Sequence, residues 1–216
     1  MSEDRTFLLF DFDGVIADTF HIAHRVAQKV CVFYTEAEYK KSFEGNVHDY
    51  HSRLQDADHG DRCDHTLDWW AEFTPGFNTH AKPFDGMPEL LGEFAEKYTL
   101  CIVSSGHDAL ITGFLEKYGL TKAIAGVYGS EVHTRKDEKF KMIYSQYDTT
   151  PTDCLFVTDT LGDINEATTV GLSSVGVTWG FQDRETLARG NPFAIAELPL
   201  QLPTFVDAYF QESTMK

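Results

Sequence analysis

The sequence predicts an α/β fold, a doubly wound and mostly parallel sheet with a helical domain inserted into it. Three observations carry that expectation. An apolar run, Phe7-Leu8-Leu9-Phe10, ends abruptly in Asp11-Phe12-Asp13-Gly14, which reads as a buried strand stopping at a polar edge. From residue 84 onward, apolar strand patterns alternate with amphipathic helix patterns, as in stacked βαβ units. Between these parts, the stretch from Thr35 to His80 loses that regularity and carries sparse apolar positions, aromatic and acidic residues, and histidines at His48, His51, His59 and His65. The expected organisation is therefore a core built from residues 1–17 and 84–216 and a helical domain over 18–83.

Taken in order, Phe7–Phe10 is the first strand and Phe20–Phe33 a helix with apolar residues at helical spacing. Short helices are expected over Glu36–Phe43, Val47–Leu54 and Thr66–Phe73, joined by polar connections around Asp56–Asp64. Pro75-Gly76 and Pro83-Phe84-Asp85-Gly86 punctuate the exit from the insertion. Met87–Lys97 follows as a helix with Pro88 in its first turn, and Tyr98–Val103 as an apolar strand ending in Ser104-Ser105-Gly106. The remaining pattern alternates: helix Asp108–Tyr118 stopped by Gly119, strand Ala123–Val127, helix Asp137–Tyr147, strand Cys154–Val157 ending at Thr158-Asp159. Helix Asp163–Val170, strand Ser173–Val177 and helix Pro203–Phe210 complete it.

Composition narrows the function. The 216 residues carry a formal net charge of −16, from 34 acidic and 18 basic side chains. Such a surface repels nucleic acid and anionic membranes, so neither is an expected partner. No apolar stretch reaches the roughly 20 residues of a membrane span. The acidic start Met1-Ser2-Glu3-Asp4 leads directly into a strand, and no secretory leader is expected there. Cys31, Cys63, Cys101 and Cys154 are scattered and read as reduced, mostly buried thiols of a cytoplasmic protein.

Four strand ends carry the chemistry. Asp11 and Asp13 project to the same side of their strand, and Gly14 lets the backbone turn closely around whatever they hold. Two neighbouring carboxylates call for a cation or a shared proton, although the stretch alone also reads as a strand followed by an Asp-Gly turn. Ser104, with Ser105 and Gly106, offers a hydroxyl and backbone N–H groups to phosphoryl oxygens; Ser-Ser-Gly is equally an ordinary loop or helix cap. In Thr134-Arg135-Lys136-Asp137-Glu138-Lys139-Phe140, a lysine just before a helix can offset anionic charge. Lys136, Lys139 and Lys141 compete for that role; Lys136 is the best placed, and Lys139 is the second choice. Asp159 and Asp163 end a strand and begin a helix, a hard-oxygen pair that suits Mg²⁺; Asp163 also suits the helix dipole.

The order Asp-x-Asp-Gly-Val, strand-end Ser, pre-helical Lys and Asp-x-x-x-Asp resembles the haloacid dehalogenase superfamily over nearly the whole chain. The tail Val175-Gly176-Val177-Thr178-Trp179-Gly180-Phe181 is similar to its phosphoglycolate-phosphatase-like branch. Val15 stands where many members have Thr, Thr158 replaces the usual Gly, and the Lys-Pro of the third motif is absent. The resemblance implies a Rossmann-like core with a helical cap and a Mg²⁺-dependent phosphatase acting on a small phosphorylated metabolite. It implies Asp11 as nucleophile, Asp13 as general acid and base, and Ser104 and Lys136 on the phosphoryl group, with Ser105 and Gly106 beside it. It implies Mg²⁺ on Asp11, Asp159, Asp163 and the backbone carbonyl of Asp13. A phosphomutase of the β-phosphoglucomutase type or a catalytically silent protein on the same fold competes with this reading. Dehalogenases and phosphonatases lack the second aspartate that Asp13 provides.

Overall fold

The computed structural model describes residues 5–50, 63–64 and 66–214. Its strands are β1 (Phe7–Phe10), β2 (Ala17–Asp18), β3 (Lys82–Pro83), β4 (Thr99–Val103), β5 (Ile124–Tyr128), β6 (Cys154–Thr158), β7 (Ser173–Val177) and β8 (Ala194–Ala196). Six of them form one parallel sheet in the order β5-β4-β1-β6-β7-β8. From β1 the chain builds outward through β4 to β5, then crosses back to β6 on the other side of β1. The carboxyl end of β1 therefore sits where the winding reverses, the place where open α/β sheets bind ligands.

All four side chains of β1 are fully buried, which explains an unbroken apolar run rather than an alternating one. Leu8 and Phe10 face one layer with Leu91, Phe94, Phe114 and Val206. Phe7 and Leu9 face the other with Phe140, Ile143 and Phe156. The helices Met87–Ala95, Asp108–Lys117 and Leu202–Thr214 thus cover one face, and Lys136–Tyr147 and Leu161–Thr169 the other. Burying each such side chain contributes about 1.5–3 kcal/mol. Asp11 continues the face of Phe7 and Leu9, toward the helix Lys136–Tyr147.

The insertion leaves and rejoins the core through β2 and β3, which pair as an antiparallel ribbon. Between them lie the helices Phe20–Val30, Glu36–Lys41 and Trp69–His80 and a 3₁₀ turn over Ser42–Glu44. A helical turn covers 47–50, and the rest of the helix expected over Val47–Leu54 lies outside the described residues. Pro75 does not punctuate the exit as expected. It sits inside the helix Trp69–His80, where Phe73 and Phe77, one turn apart, are both buried and hold the helix through the missing N–H donor. The cysteine expectation is also corrected: Cys31 and Cys63 form a disulfide, while Cys101 and Cys154 are free and buried. Among the described residues, no helix is long and apolar enough to cross a membrane.

The insertion docks on the core through aromatic rings and buried polar contacts. Phe181 packs edge-on against Phe20 and Phe43, with ring centroids 5.1 and 5.0 Å away. The Gln182 amide accepts from the Leu161 N–H at 2.6 Å and donates to the Lys40 carbonyl at 3.0 Å. The Asn46 amide donates to Glu166 at 2.5 Å.

A tight turn follows β1. The Phe12 carbonyl accepts from the Ile16 and Ala17 N–H groups at 3.0 Å, and the Gly14 N–H donates to Ala17 at 2.9 Å. Gly14 has φ +77°, and a Cβ there would lie 2.7 Å from the Asp159 carboxyl carbon and 2.8 Å from the Phe181 ring. Both the left-handed backbone and the packing exclude a side chain. Gly14→Ala is expected to lower stability by at least about 2 kcal/mol, read as a lower urea midpoint with unchanged slope. An unchanged midpoint would contradict this account of the turn.

Candidate active site

The sheet brings three strand ends together. Asp11 directly follows β1, Ser104 follows the neighbouring β4, and Asp159 follows β6 on the other side. Two helix starts complete the group. Lys136 is the first residue of the helix that buries Phe140 and Ile143 against the Phe7–Leu9 face. Asp163 is the third residue of the helix Leu161–Thr169, whose N-cap Thr160 accepts from the Asp163 N–H. The helix thus begins two residues earlier than expected, because Thr160 supplies the cap.

Lys136 is the hub. Its Nζ lies 2.8 Å from Asp11 Oδ2 and 2.6 Å from Asp163 Oδ2. The Phe12 N–H donates to Asp11 Oδ1 at 2.7 Å, so both oxygens of that carboxylate are held. Thr158, the residue in place of the usual glycine, donates its hydroxyl to Asp163 at 2.7 Å. Asp13 accepts from the Thr19 hydroxyl at 2.7 Å. Ser104 is fully buried, and its Oγ accepts from the Gly106 N–H at 2.9 Å, leaving its own O–H to be donated elsewhere. Ser105 and Gly106 line the same cavity as Asp11, Asp13, Lys136 and Asp163.

Lys139 takes a different position from Lys136. Fully buried, it donates to the Ser104 carbonyl at 2.5 Å and so braces the loop rather than the carboxylates. Burial, reinforced by the Lys136 charge, brings its ammonium down to about 8. Lys136 moves the other way: burial alone would lower it, but Asp11 and Asp163 raise it above the ordinary lysine value.

Carboxylates outnumber ammonium groups here, and their acidities record it. Burial raises Asp11 well above the usual carboxylate range, partly offset by Lys136, while Asp163 and Asp159 push it further up. Burial also raises Asp13 and takes Asp159 to about 8. Asp163 would rise on burial as well, but Lys136 and hydrogen bonding hold it below its ordinary value. Asp159 Oδ2 accepts from the Phe181 N–H at 2.7 Å, whereas its buried Oδ1 has no hydrogen-bond partner. An orphaned carboxylate oxygen within an anionic, all-oxygen cluster fits a hard divalent cation. Among the described residues no three His, Cys, Asp or Glu side chains converge as a ready-made cage. The donor set therefore suits an ion that takes few protein ligands and keeps several waters, as Mg²⁺ does.

Two participants escaped the reading of the sequence. Glu166 Oε2 accepts from the Lys136 backbone N–H at 2.7 Å, and Oε1 accepts from Asn46 of the insertion at 2.5 Å. Burial raises the Glu166 carboxyl. Its spacing of three from Asp163 places both on one helix face, a signal that could have flagged it. Asn46 leaves no such trace. The insertion histidines contribute no metal cluster among the described residues; His51, His59 and His65 lie outside them. Trp69 and Trp70 are half-buried, pack against the hydrophobic core and on Phe73, and also line the cavity.

The chain is similar to known proteins over this same region. The pattern of the haloacid dehalogenase-like hydrolases matches residues 8–177. A phosphoglycolate phosphatase of Synechococcus elongatus is 31% identical over 121 residues, which span 55% of this chain and 57% of that relative. The chain thus spans little more than half the length of that relative. A phosphoglycolate phosphatase of Mesorhizobium japonicum is 25% identical over 198 residues, covering 83% of this chain and 86% of its own. A hydrolase from Pseudomonas syringae shares the fold, with a TM-score of 0.78 at 18% identity over 94% of this chain and 99% of that one. With a match running from β1 to the end of β7, the chain belongs to the haloacid dehalogenase-like hydrolase family.

Proposed function

We propose that the protein is a Mg²⁺-dependent phosphatase that hydrolyses a small phosphomonoester through an aspartyl-phosphate at Asp11. The observation that carries this reading is the held Asp11 carboxylate, with Lys136 on one oxygen and the Phe12 N–H on the other, beside the orphaned oxygen of Asp159. Family membership and the phosphoglycolate phosphatases among its relatives support it.

The chemistry follows from the residues. An Asp11 oxygen attacks phosphorus, the P–O bond to the ester oxygen breaks, and the departing alkoxide takes a proton from Asp13. Burial raises the Asp13 carboxyl, which favours the protonated form this step needs. Asp13, now a carboxylate, then takes a proton from water as that water attacks phosphorus and frees Asp11. The Ser104 hydroxyl, positioned by the Gly106 N–H, and the Ser105 N–H donate to the phosphoryl oxygens, and Lys136 offsets their charge. Asp11, Asp159, Asp163 and the Asp13 carbonyl would hold Mg²⁺, which would supply the further positive charge that a phosphate ester requires in so acidic a protein. The helical insertion roofs the site and acts as the cap that excludes water.

Asp11→Asn is expected to lower the turnover of p-nitrophenyl phosphate at least about a thousandfold with an unchanged circular dichroism spectrum. Retained activity would exclude Asp11 as nucleophile. Dialysis against EDTA is expected to abolish hydrolysis, and added Mg²⁺ to restore it; full activity after chelation would remove the metal from the account.

A further inference from the structure

The carboxylate cluster opens into a cavity of about 640 Å³ roofed by the insertion. Beyond the phosphate end, its walls are aromatic: Tyr34, Tyr39, Phe43, Trp69, Trp70 and Phe73 all face it. That volume is within the range of pockets that enclose drug-sized ligands and far exceeds what a two-carbon acid occupies. Its charge is equally telling. Among the described lining residues Lys136 is the one lysine or arginine, and its ammonium is already shared by Asp11 and Asp163. The remaining charged groups on the walls, Glu38 and Glu166 among them, are acidic. His48 also lines the cavity, but burial and the nearby Lys139 and Lys136 charges lower its affinity for a proton. Among the described residues, a carboxylate on the leaving group would therefore be desolvated by aromatic rings with no unshared cation to meet it, which is costly.

Resting on the phosphatase reading above, we propose that the substrate is a phosphomonoester of an uncharged alcohol bearing an aromatic ring system, not of a small hydroxy acid. The phosphate sits on the strand ends, and the ring lies among the insertion's aromatic side chains. Such contacts favour ring faces and edges over carboxylates, so the cavity selects for shape and against charge. Trp70 takes part from the first turn of the helix Trp69–His80. Its ring also meets His107 of the core, with centroids 3.9 Å apart, which fixes one wall of the cavity across the insertion and the core.

The test compares 1-naphthyl phosphate with 2-phosphoglycolate as substrates in Mg²⁺, and titrates 1-naphthol, without phosphate or metal, into the protein by intrinsic tryptophan fluorescence. The expected kcat/KM is at least tenfold higher for 1-naphthyl phosphate, and 1-naphthol is expected to quench the tryptophan emission saturably. Trp70→Ala is expected to raise KM for 1-naphthyl phosphate about tenfold, with Trp70→Phe restoring most of the loss. Preference for 2-phosphoglycolate without naphthol binding would overturn the substrate class and leave the phosphatase reading standing. No turnover of either ester would overturn the phosphatase reading and the substrate class with it.

Discussion

The buried ammonium of Lys136 is the constraint on which the rest of this structure depends. It stands 2.8 Å from Asp11 and 2.6 Å from Asp163 in a region from which water is largely excluded. Without it, the Asp11 and Asp163 carboxyl groups would face each other, beside Asp159, across a low-dielectric gap. Removing one member of such a buried group typically costs about 3–5 kcal/mol, because the others are left uncompensated. In the proposed mechanism, the same cation that permits the fold to hold its acids together would offset the charge of an incoming phosphoryl group. Structure and chemistry therefore use one side chain for one electrostatic reason.

The position of that ammonium is secured from two directions. The helix Lys136–Tyr147 is fixed from below by Phe140 and Ile143 in the core. Its first N–H is fixed by Glu166, whose other oxygen is held by Asn46 of the insertion. A hydrogen-bonded polar chain of this kind, buried at Lys136 and Glu166 and partly buried at Asn46, specifies one arrangement more sharply than apolar contact does. Asn46, Glu166 and Lys136 thus link the placement of the insertion to the placement of the site's cation, and Phe181 repeats the link by bonding Asp159 and packing among the insertion's rings.

Much of this was legible in the sequence, for definite reasons. The β1 run announces a strand buried on both faces, and carboxylates at its end have few structural uses. Asp159 and Ser104 follow apolar runs of the same kind, so their convergence follows from a parallel sheet. Lys136 was preferred over Lys139 only for preceding the helix, because residues three apart share a helix face; packing sends Lys136 to Asp11 and Lys139 to the Ser104 carbonyl. The Asn46–Glu166 contact joins residues 120 positions apart, which no local pattern encodes. The Cys31–Cys63 bond, 32 residues apart, was hidden by the absence of any close cysteine pairing. The helix through Pro75 was missed because burial of Phe73 and Phe77 outweighs a local breaker. Thr158 read as a departure from pattern, yet its hydroxyl supports Asp163.

The central claim is that Asp11 forms a bond to phosphorus while Lys136 and Asp13 attend it. Chemical trapping tests that directly. Protein turning over p-nitrophenyl phosphate is quenched with borohydride, which reduces an aspartyl-phosphate to homoserine but leaves a free carboxylate untouched, and is then mapped by peptide mass spectrometry. The account predicts homoserine at position 11 and at no other aspartate, dependent on substrate. Rapid turnover with Asp11 unmodified, or reduction at Asp13, Asp159 or Asp163 instead, would contradict it.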